Sequence, residues 1–78
     1  MPVEVKKVVA ERILNLIEIA KGGEFFAWVW YQRAKRFIES LMQSLTKIDE
    51  DDFYSALFYW QDRLLPLAPI EVRAAAAK

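Results

Sequence analysis

Cysteine and histidine are both absent from the 78 residues. Without cysteine no disulfide can staple the fold, and a chain free of it fits a reducing, cytoplasmic setting. Without either residue the usual ligands of zinc, copper and nickel are missing, and so are the common activated nucleophiles. Glycine is scarce: two residues, adjacent at 22 and 23, leave no phosphate-cradling loop. No sign of charge is in excess, with 11 basic and 11 acidic side chains, whereas dedicated nucleic-acid binders tend to be basic. Long apolar runs are missing too. The longest, Phe25 to Tyr31, has seven residues, far short of the roughly 20 that span a bilayer. Residues 1–21 carry charges throughout and are followed by no small-residue cleavage site, so no secretory signal is expected.

These absences narrow the chemistry. Paired carboxylates are what remain for acid–base work, and three short helices rarely enclose a cleft for them. No enzyme is expected, and no catalytic, cofactor-binding or metal-ligating residue is assigned. The acidic run Asp49, Glu50, Asp51, Asp52 invites a calcium reading. The sixth and twelfth places of such a loop need glycine and glutamate, and here they hold Tyr54 and Trp60. The run reads instead as the start of a helix.

What the chain does have is apolar surface. Hydrophobic residues make up 55% of it, above the usual share of about 45–50%, and eleven are aromatic. A single domain of this size buries only about 60% of its unfolded surface. An excess of apolar side chains over core volume is therefore expected, and with it self-association or a partner.

The apolar spacing predicts an all-α domain over residues 1–78: an antiparallel three-helix bundle with a short fourth helix or tail, associating into a larger helical bundle. Helices are expected at about 3–21, 24–46 and 49–65. In the first, Glu4, Lys7, Glu11, Asn15 and Glu18 form a wet stripe, opposite Val5, Val8, Val9, Ile13, Leu16, Ile17 and Ala20. Gly22-Gly23 ends it, with a left-handed glycine expected at the C-terminus. In the second, Ala27, Trp30, Tyr31, Ala34, Phe37, Ile38, Leu41, Met42 and Leu45 share the core face. Phe25, Trp28 and Val29 fall together on the opposite side. The third opens on an Asp49 cap with an Ile48–Phe53 staple. Its Phe53, Ala56, Leu57, Trp60 and Leu64 face the core, and Tyr54, Phe58 and Leu65 form a second stripe. Pro66 and Pro69 break it. Residues 66–78 read as a linker and a short helix or frayed tail, with AAAAK having almost nothing to pack against.

The expected function is a small protein–protein interaction module: an adaptor, inhibitor or antitoxin-like regulator, working as a homodimer or on a larger partner. Phe25, Trp28 and Val29 lead the candidate interface, with Tyr54 and Phe58 second, because exposed aromatic patches mark contact sites. The competing expectation is that Phe25 and Val29 pack on the C-terminal segment around Leu67 and Ile70. The alternative function is a nucleic-acid-associated regulator using Lys21, Arg33, Lys35 and Arg36. Arg33 and Lys35 point about 160° apart on a helix, which weakens it. A third reading is a carrier of apolar ligands with a cavity between aromatic helices.

Overall fold

The structure, a computed structural model describing all residues from Met1 to Lys78, holds four α-helices and no strand. They are α1 (Val3–Ile19), α2 (Trp28–Gln43), α3 (Glu50–Tyr59) and α4 (Ile70–Ala76). No helix is long and apolar enough to cross a membrane. Each departure from the expected boundaries has an identifiable physical cause.

Helix α1 tightens into a 3₁₀ turn, Ala20–Gly22, and Gly23 leaves it extended at φ −79° and ψ 156°. No glycine has positive φ, so the expected left-handed cap is replaced by that turn. Gly23 matters for space: a Cβ there would sit 2.9 Å from the Glu71 carboxylate, which comes in from α4. That carboxylate accepts the Glu24 backbone N–H at 2.9 Å. Residues 24–27 are thereby held out of the helix, and α2 starts at Trp28, four residues later than its pattern suggests. Downstream, Ser44 Oγ donates back to the Leu41 carbonyl at 3.1 Å as α2 ends in turns.

Helix α3 opens as its sequence dictates. Asp49 Oδ1 accepts the Asp52 N–H at 2.8 Å, and three carboxylates sit in the first turn, where the helix dipole favours them. The expected continuation to residue 65 is not regular. The chain widens into a π turn, Trp60–Leu64, then a 3₁₀ turn, Leu65–Leu67. Pro66 has no N–H to give to the carbonyl four residues back, and its ring crowds that carbonyl. The Leu64 carbonyl, freed from the ladder, accepts the Trp30 indole N–H at 2.7 Å.

Helix α4 is a docked helix, which corrects the expectation of a tail with little to pack. Val72 is wholly buried, and Ala75 and Ala76 lie against the core beside α1. The core comprises sixteen buried apolar residues drawn from all four helices and the turns between them. Phe53, Ile17, Ile38 and Val72 are fully enclosed, each worth about 1.5–3 kcal/mol of apolar burial. A lysine joins them. Lys6 is 6% exposed, runs its stem past the Phe53 ring and donates to the Ile48 carbonyl at 2.8 Å. Val5 and Val8, expected in the core, are instead exposed.

Candidate functional site

The five residues expected at an interface all reach the surface, but on different sides. Phe25 lies in the turn before α2, not on the helix, so it shares no helical face with Trp28 and Val29. Leu67 and Ile70 do not cover Phe25 and Val29; all four are more than half exposed. Trp28 packs against rings of its own stretch of chain. It meets the Phe26 ring edge-on at 5.8 Å between centroids and stacks over Tyr31 at 6.2 Å.

Tyr54 and Phe58 are exposed on α3, one on each sequence side of Leu57, which lines an apolar groove. The seam between α1 and α3 is not closed by direct helix packing. It is an open groove of about 460 Å³ lined by Val8, Val9, Ile13, Leu57, Trp60 and Leu65, with Leu16 and Ala76 at its end and Arg12 and Gln61 as its polar members. Val8 stands on its α1 side and is 66% exposed, and Val5, about one turn earlier on α1, is exposed as well. Tyr54 and Phe58 stand beyond Leu57 on the α3 side, and Phe58 is 62% exposed. The π turn shapes the far end, placing Trp60, Gln61 and Leu65 along one wall. Turns of this kind, rare within helices, are concentrated at functional positions.

Val5 and Val8 were absent from the expected interface. The signal that would have found them is the small alanine at position 10. With Ile13, Ile17 and Ala20 it marks the true centre of the buried stripe and leaves Val5 and Val8 at its edge.

The basic residues of the nucleic-acid reading do not form one surface. Lys35 Nζ donates to Glu18 Oε1 at 2.7 Å, and Tyr31 Oη donates to the same carboxylate at 2.9 Å. Lys21 lies over the Tyr31 ring at 5.5 Å. The Lys35 ammonium, then the Tyr31 hydroxyl, hold the Glu18 carboxyl below the usual glutamate range despite partial desolvation, and the same bond raises Lys35. Arg33 is elsewhere, facing a concavity with Tyr59, Arg63, Leu64 and Leu67. Arg36 is exposed on the outer face of α2.

No group of three or more histidine, cysteine, aspartate or glutamate side chains is placed to hold a metal ion. The five concavities all open to solvent, which leaves the ligand-carrier reading without an enclosed chamber. No family model matches the chain, and neither the curated proteins nor the solved structures contain one that it resembles.

Proposed function

We propose that this chain is a cytoplasmic protein–protein interaction module, an adaptor, inhibitor or antitoxin-like regulator. Its framework is an antiparallel three-helix bundle closed by α4. Contacts that support that framework are Glu18 near the end of α1 with Tyr31 near the start of α2, and Trp30 with Trp60 across α2 and α3. The observation that carries the functional reading is the groove between α1 and α3 with its apolar rims. A domain of this size has little reason to leave Val8 and Phe58 in water beside an apolar trough unless another surface covers them. An apolar surface laid along these rims gains burial over two helical turns.

Site-specific photo-cross-linking in the native host tests this. A benzoylphenylalanine at position 58 is expected to give one adduct of discrete mass that Val8→Asp abolishes, whereas the same probe at Glu39, outside the groove, gives none. A probe at 58 that forms no adduct overturns the reading.

A further inference from the structure

The arrangement of α1 against α3 names the partner, and we infer that a second copy of this chain covers the groove, related by a two-fold axis running along the helices. This rests on the groove being an interaction surface. The two helices begin at the same end of the molecule. The Met1 ammonium lies 3.8 Å from the Glu50 carboxylate, and Lys6 Nζ sits 5.9 Å from the centre of the Phe53 ring. Farther along, Val8, Val9, Arg12 and Leu16 of α1 line the groove together with Leu57, Gln61 and Leu65 from α3 and the turns after it. The two helices thus start level and run in the same direction along the groove.

A two-fold axis parallel to the helices turns this face over without sliding any residue along its length. The α1 rim of one copy then lies on the α3 rim of the other at unchanged height. Val5 meets Tyr54, Val8 meets Leu57 and Phe58, and Arg12 comes beside Gln61 and Asp62. Apolar side chains face apolar side chains over two turns, and the cation of the rim faces an anion. Arg12 and Asp62 are both exposed, and neither has an ionic partner in its own chain, where the two ion pairs are Met1 with Glu50 and Lys35 with Glu18. A face that is its own complement under a two-fold is what a closed dimer requires. A standard interface takes roughly 800 Å² from each partner, a modest share of the 5295 Å² this chain exposes.

Sedimentation equilibrium with charge-swap variants decides it. The wild type is expected at twice the 9.1 kDa of one chain. Phe58→Asp becomes a monomer of unchanged helix content by circular dichroism, and Val29→Asp, on α2 and outside the groove lining, stays dimeric. Arg12→Glu and Asp62→Arg each weaken the dimer about tenfold, and the double variant recovers most of that loss. A dimer that Val29→Asp dissociates while Phe58→Asp does not, or a double swap no tighter than the single ones, overturns the proposed face. A monomeric wild type that still gives the adduct at position 58 overturns the second copy and leaves the interaction module standing. A monomer with no adduct overturns both.

Discussion

Two side chains carry constraints out of proportion to their size. Trp30 is one: its indole N–H is the donor that satisfies the Leu64 carbonyl inside the π turn. Trp30→Phe keeps most of the apolar volume and removes that donor. It is expected to cost about 1–3 kcal/mol, because a buried carbonyl is left without a partner, and urea denaturation measures it. Glu71 is the other. Its own backbone N–H, then those of Glu24 and Phe25, hold its carboxyl below the usual glutamate range, against desolvation. One of its oxygens, Oε1, is buried and accepts no hydrogen bond. Gly23→Ala pushes that carboxylate aside, and Glu71→Gln removes its charge. Both act on one contact, so their destabilisations are expected to be non-additive in a double-mutant cycle.

The same lowered carboxylates fix a pH dependence. Glu18 and Glu71 titrate below their ordinary value of 4.5, so their contribution is complete above that value and is lost as pH falls through the lowered ones. The wild type is therefore expected to lose more thermal stability on acidification than Glu71→Gln does. Lys35, raised above 10.5, acts in the opposite sense: its share is present below that value and fades as alkali passes the raised one. Equal acid sensitivity of wild type and Glu71→Gln would remove Glu71 from this account.

Among the elements, α3 shows what local chemistry can dictate. Its start was legible because the cap, the acidic first turn and the staple all lie within six residues. Asp49→Ala is expected to cost about 1 kcal/mol in the unfolding midpoint, through the lost bond to the Asp52 N–H. The start of α2 was not legible, since what holds residues 24–27 out of the helix is a carboxylate 47 residues away. Tyr54 and Phe58 could be picked out because they form a stripe separate from the core face. Val5 and Val8 were missed, because Lys6 occupies a buried position while counting as polar in any hydrophobic pattern. Its presence displaced the inferred stripe toward the two valines. The π turn was legible only as a break at Pro66, not as the wall of a groove.

At the scale of the whole molecule, the excess of apolar side chains over core volume follows from composition and size, and the exposed Val8, Phe25, Val29 and Phe58 are its outcome. Part of that excess lies on α1 and α3 beside the groove and part around the start of α2, a distribution that no single helix encodes. The docking of α4 is equally non-local. Val72→Ala is expected to lower global stability by about 2 kcal/mol, because the fully buried side chain of a helix packed on α1 is cut back. A fall confined to α4, with hydrogen exchange in α1 unchanged, would make α4 an appendage instead. The geometry also sets a schedule for the nascent chain. Helix α1 leaves the ribosome well before the α4 residues that pack on it, so polypeptides stalled before Val72 clears the exit tunnel should expose α1 to protease, and those stalled well beyond it should not.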